Sequence, residues 1–195
     1  PIIKDFQKKP IVKLKKSSLD KDKVTFLFFG LIREYKGIDI LLNAINQIDN
    51  IKIKKTNFLI VGESYININK YKKILNEDRR KYVEWYNQFI PDKEVSSFFL
   101  KSDYIVLPYK KASQSGIIPM AYQFNKPVIC SDVSGLKELI NENTGFVFKN
   151  ENVNELKEII EECIENDKKF TGFTDMQKKL STKTYAKNIL NFINE

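Results

Sequence analysis

The 195-residue chain is 42% hydrophobic and 30% charged, with a formal net charge of +8, two cysteines and no histidine. That length suits one sizeable core or one large α/β domain, and no run approaches the roughly 20 apolar residues of a bilayer span. Lacking histidine, the chain has neither the commonest metal ligand nor the usual near-neutral base, so its chemistry must use other groups.

Residues 1–22 hold Pro1, Pro10 and many lysines without sustained periodicity, and read as a linker ahead of a domain at 23–195. Pro1-Ile2-Ile3-Lys4-Asp5 does not read as a signal peptide, and a cytoplasmic location is expected. From Val24 onward, short apolar runs alternate with amphipathic stretches, the signature of parallel βαβ units. Val24–Phe29 is predicted as a strand closed by Gly30, and Ile38, Leu41, Leu42, Ile45 and Ile48 then recur at helical spacing. A second buried strand is predicted at 58–61, then a polar, partly helical stretch to about 81, then a third strand at 82–86. Pro91 and the acids Asp92 and Glu94 open a helix carrying Val95, Phe98 and Phe99. Strands at 104–107, 128–130 and 146–148 bring the sheet to about six. Residues 117–124 are apolar almost all round, so that helix is expected inside the fold. Val153, Leu156, Ile159, Ile160, Cys163 and Ile164 make the clearest amphipathic helix, and a last one is expected from 181. Cys130 and Cys163 read as small core hydrophobes in a reducing compartment. The lysines are spread along the chain with few aromatics among them, which favours solubility over nucleic-acid binding.

In a doubly wound sheet, ligands bind outside the carboxyl ends of the strands. Two loops there carry unusual chemistry. Gly30 is followed by Arg33 and Lys36, a planar fork and a compact cation suited to a diphosphate. After the 104–107 strand, Ser113-Gln114-Ser115-Gly116 precedes a helix beginning Ile117-Ile118, whose first amides lack intrahelical partners and favour an anion. A Ser N-cap after a tight turn explains the same residues. Glu34, Asp132 and Glu138 are the acids placed to act as bases. There is no close carboxylate pair at the two turns, no metal-ligand spacing and no full GxGxxG after Gly30.

Read in order, these motifs resemble the carboxyl-terminal, donor-binding half of retaining family 4 glycosyltransferases of the GT-B fold (glycosyl transferases group 1). The likeness rests on Phe29-Gly30-Leu31-Ile32-Arg33-Glu34-Tyr35-Lys36-Gly37, Leu59-Ile60-Val61-Gly62, Phe89-Ile90-Pro91-Asp92, Val106-Leu107-Pro108-Tyr109, Ser113-Gln114-Ser115-Gly116, Asn125-Lys126-Pro127 and Thr144-Gly145-Phe146. It implies a Rossmann-like three-layer α/β/α domain that binds a nucleoside-diphosphate sugar, with no cofactor and no metal. Arg33 and Lys36 would act on the diphosphate as the catalytic cations. Gly30, Ser113, Gln114, Ser115, Gly116, Ile117, Ile118 and Met120 would face the donor, and Phe89 and Ile90 would frame the base. Cations and amide dipoles would then stabilise the charge that grows on the leaving diphosphate.

The family's usual pair of glutamates flanking the helix start is replaced by Ala112 and Met120, or by Pro119 if the turn shifts, which implies a variant donor site. The resemblance also implies an amino-terminal acceptor domain not included in these residues, so that alone they bind donor weakly and transfer nothing. The whole protein would transfer a hexosyl group to a glycan or lipid-linked acceptor in surface polysaccharide or lipopolysaccharide synthesis, with the inner membrane surface as a further contact. A non-catalytic basic module for nucleic acid or anionic surfaces, and a sugar-nucleotide epimerase of GT-B architecture, are the alternative readings.

Overall fold

A strand covered on both faces needs a nearly continuous apolar run, and each of the six anticipated runs is a strand. The computed structural model describes residues 22–180. In it β1 (Val24–Phe29), β2 (Thr56–Val61), β3 (Val83–Tyr86), β4 (Tyr104–Leu107), β5 (Val128–Ser131) and β6 (Gly145–Phe148) form one all-parallel sheet. Its order is β3-β2-β1-β4-β5-β6. Among the described residues six α-helices accompany it: α1 (Ile38–Gln47), α2 (Ile68–Lys72), α3 (Asp92–Lys101), α4 (Ile117–Gln123), α5 (Val153–Glu165) and α6 (Phe173–Lys179). Helix α1 packs on α5 and α2, while α4 packs on α6. On the α4 side, Phe99 of α3 stacks on Phe124 at 5.3 Å and meets Phe29 at 5.2 Å. The result is the expected Rossmann-like three-layer arrangement.

Register brings aromatic rings into line across the sheet. Phe26 is opposite Phe58 on one side and Tyr104 on the other, stacked at 5.1 and 5.5 Å. Such pairs add about 0.5–1.5 kcal/mol each beyond the area they bury. The chain runs outward from β1 to β3 and then returns to β4 on the other side of β1. At that reversal, the loops leaving β1 and β4 part toward opposite layers and leave a crevice between them.

Several local expectations are revised. Strand β2 starts at Thr56 rather than at 58, because Thr56 and Asn57 are polar yet buried, and the Thr56 hydroxyl donates to the Ile53 carbonyl at 2.8 Å. Between 63 and 82 the only α-helix is the short α2, and Arg80–Tyr82 is a single 3-10 turn. Arg79 in this stretch is buried, donating to the Ile48 carbonyl (3.0 Å) and Asn50 Oδ1 (2.7 Å), so it pins the chain rather than facing solvent. Helix α4 is not enclosed all round: it buries Ile118, Ala121 and Tyr122, and its remaining residues are partly exposed. Both cysteines are free and buried, and burial pushes each thiol up to about 12, as suits inert core groups. Among the described residues no helix is long and apolar enough to cross a membrane. The expected linker, apart from residue 22, and the expected last helix from 181 lie outside the described residues.

Candidate functional site

The loop leaving β1 folds back sharply. Glu34–Lys36 make one 3-10 turn, which ends at Gly37 in the left-handed region (φ 63°), where α1 begins. Glycine is required there, since a Cβ would lie 1.8 Å from the carbonyl oxygen of Pro108. Pro108 opens the loop after β4, so the two loops are pressed together at this point. They are joined further by the Lys110 N–H donating to the Tyr35 carbonyl at 2.8 Å, and by a 2.7 Å ion pair between Lys110 and Asp39.

Between the loops is a cavity of about 520 Å³, walled by Tyr35, Lys36, Tyr109 and residues 111–117. Two of these residues are lysines and none is acidic. Lys36 Nζ donates to the Tyr109 hydroxyl at 3.2 Å. Burial and then the Arg33 guanidinium hold the Lys36 ammonium down at about 8, still mostly charged at neutral pH. A methyl group on Gly30 would sit 3.3 Å from Lys36 Nζ and 3.7 Å from Ile117 Cδ1, so the first loop, its cation and the start of α4 meet here.

The remaining expected residues divide into two groups. Ser113 and Gln114 are exposed on the cavity rim, and Ser115 and Ile117 are half-buried in its wall. Gly116 has ordinary helical φ (−72°), and a Cβ there would meet nothing within 4 Å. Neither backbone conformation nor packing among the described residues therefore calls for a glycine at 116. The Ile117 amide, expected to be free, donates to Ser115 Oγ at 3.2 Å. Arg33 is off the wall, exposed, with its guanidinium 5.3 Å from the centre of the Tyr65 ring. The Ile118 side chain is in the core, and Met120 packs partly against it. Phe89 is 70% exposed and Ile90 is buried, and neither lines the cavity.

Of the three acids considered as bases, Asp132 accepts from the Asn150 N–H and Glu138 from the Gly135 N–H, each at 2.8 Å, so both hold turns. Glu34 is exposed and, among the described residues, pairs with neither Arg33 nor Lys36. The site thus offers cations, hydroxyls and an accessible backbone, a set that holds an anion. Sequence reasoning did not single out Tyr35, Tyr109 or Lys111 as wall residues. The available signal was Tyr109 following Pro108 directly, where a side chain at a strand's carboxyl end faces the crevice. A larger cavity of about 770 Å³ lies at the opposite, amino-terminal edge of the strands, with Asp103, Asp167 and Lys168 in its wall and neither Arg33 nor Lys36.

Comparison with known proteins fits this picture. An uncharacterized 41.2 kDa protein in the cps region of Klebsiella pneumoniae is 30% identical over 152 residues, 77% of this chain and 40% of that protein. An uncharacterized glycosyltransferase of Methanocaldococcus jannaschii is 31% identical over 161 residues, 80% of this chain and 43% of its own. The chain therefore spans less than half the length of these curated relatives. The lipopolysaccharide outer core galactosyltransferase WaaB, in its apo form, superposes with TM-score 0.78 at 17% identity, over 99% of this chain and 53% of its own. HepE of Anabaena in complex with UDP gives 0.73 at 20% identity, over 89% and 49%. The isolated carboxyl-terminal domain of the glycosyl transferase group 1 protein LpcC of Francisella tularensis gives 0.62 at 16%, over 84% and 83%. These structural likenesses speak for the fold, a Rossmann-like half of GT-B. The model of the family described as glycosyl transferases group 1 matches residues 12–187, and the chain belongs to that family.

Proposed function

We propose that the cavity between the β1 and β4 loops binds the diphosphate of a nucleoside-diphosphate sugar. Residues 23–195 would then be the donor-binding domain of a retaining hexosyltransferase, and residues 1–22 the linker before it. The observation that carries this reading is one wall shared by Lys36, an ammonium with no carboxylate partner among the described residues, and the unobstructed backbone at Gly116. A phosphate oxygen at Gly116 lies within reach of Lys36, and Arg33 swings from the Tyr65 ring to the outer phosphate. Charge gathers on the diphosphate as the sugar leaves, so cations already in place lower the barrier more than they tighten ground-state binding. Ser113 and Gln114 face the sugar from the rim, and Phe89 and Ile90 frame the base.

Family membership supports this reading, as do the UDP and UDP-glucose complexes of HepE and the cps-region location of the Klebsiella relative. The acceptor, a glycan or lipid-linked sugar of a surface polysaccharide or lipopolysaccharide, belongs to the part of the relatives' length that this chain does not span. A general anion-binding surface is less well supported, because Lys52, Lys110 and Lys157 are engaged by carboxylates. The test is a thermal-shift panel of nucleoside diphosphates and their sugars against the 195-residue chain. At least one raises the melting temperature, and the Arg33→Ala/Lys36→Ala double variant loses the shift. No shift with any member of the panel would remove the proposal.

A further inference from the structure

Tyr109 is fixed more firmly than a cavity wall requires. Its side chain is buried, its carbonyl accepts from the Ser131 hydroxyl on β5, and its ring packs edge-on against Tyr35 at 6.5 Å. Phenylalanine would fill the same volume, so the hydroxyl is the part of tyrosine to be explained. A buried hydroxyl needs partners. Lys36 can only donate, so at 3.2 Å the phenol oxygen accepts from it. Nζ also lies over the ring, 4.9 Å from its centre, a contact that phenylalanine would keep, so the hydroxyl's part is the 3.2 Å hydrogen bond. Ser115 shares the cavity wall with the phenol, and its Oγ takes the Ile117 N–H at 3.2 Å. Lys36 and Tyr109 thus tie the β1 loop to the loop that leads into α4.

We propose that Tyr109 is a positioning residue: its phenol holds the Lys36 ammonium charged and aimed into the cavity. What Lys36 then contacts rests on the diphosphate reading, whereas the hold of Tyr109 on Lys36 does not. The charged and titratable groups around Lys36 are Arg33 of its own loop, Tyr35 and Tyr109. Lys111 shares the cavity wall, and Glu34 lies on the exposed side of the turn.

The test uses Tyr109→Phe in the 195-residue chain. Competitive acetylation of Lys36 across pH, read by mass spectrometry without ligand, gives the midpoint of its titration. Losing a hydrogen-bond acceptor from a charged donor lowers that midpoint by on the order of one pH unit in Tyr109→Phe. Titration with UDP then shows a small loss of affinity at pH 6.5, where Lys36 is charged in both proteins. At pH 8.5 the loss in Tyr109→Phe is about tenfold. An unchanged Lys36 midpoint overturns the proposal, and so does an equal affinity loss at both pH values with a lowered melting temperature, which marks a packing role. If the midpoint moves but UDP binds neither protein, the positioning role of Tyr109 stands and the diphosphate reading falls.

Discussion

Lys36 and Lys52 are the same side chain in similar settings, each in a 3-10 turn at the edge of the sheet, yet their surroundings are opposite. Lys52 Nζ is 2.8 Å from Glu165 and 3.3 Å from Glu161, and Lys157 approaches Glu161 at 3.1 Å. The hydrogen bond that Lys52 donates to Glu165 leads the effects that raise its ammonium above the ordinary range. Lys36 has no carboxylate partner among the described residues, and burial and then the neighbouring Arg33 guanidinium hold its ammonium down instead. One charge is neutralised by the fold and locks α5 to the turn before β2. The other is kept at a cost, and a fold retains such a cost where an outside anion repays it.

The largest effect expected from this contrast falls on binding. The Arg33→Ala/Lys36→Ala double variant weakens nucleoside-diphosphate affinity by on the order of a hundredfold by calorimetry. Lys52→Met leaves it unchanged; an equal loss in both variants would erase the distinction. Next in size is Gly116→Ala. It lowers affinity by about tenfold while the melting temperature stays near that of the parent, because the added methyl group meets only the open cavity. A fall in both would mean that the glycine serves the fold.

The pH dependence is smaller and has two opposed signs. Lys36 titrates at about 8 when folded and at 10.5 as a free side chain, so between those values the unfolded chain binds more protons. The Lys36 contribution to stability therefore rises with pH from about 8 to 10.5. Over the same interval nucleoside-diphosphate affinity falls as the ammonium is lost. Comparing denaturant unfolding and ligand titration of the parent with Lys36→Met isolates both slopes, and Lys36→Met is also expected to melt higher at pH 7. The smallest effect is that of Lys52→Met on folding, a slight lowering of the melting temperature that shrinks as salt is added. No salt dependence would mean that the carboxylates around Lys52 do not act as ion-pair partners.

Elements defined by dense local pattern were legible in the sequence. Apolar runs closed by Gly30 and Gly62 marked β1 and β2, and the spacing of Leu156, Ile160 and Cys163 marked α5. The start of β2 was hidden, because Thr56 and Asn57 are polar residues made to fit a buried strand by tertiary contacts that no local rule encodes. The stretch from 63 to 82 was equally opaque. Its polar residues are held by distant partners, as Arg79 is by Ile48 and Asn50. At the site, the two loops were identifiable from Lys36 and from Ser115-Gly116, and the structure brings those residues to one cavity. What sequence could not show was the lateral contacts: Arg33 over Tyr65, and Lys36 on Tyr109. Each joins residues from separate loops, and only the strand order makes them neighbours.

That strand order also sets where motion can occur. Strand β2 is buried along its whole length and β4 likewise, with β1 buried beyond its first residue, so amides there should be the last to take up deuterium from solvent. Ser113, Gln114 and Arg33, at the ends of those same strands, are exposed. On the proposed reading, a nucleotide would come and go by rearranging side chains and loop tips alone, while the scaffold beneath stayed shut through every round.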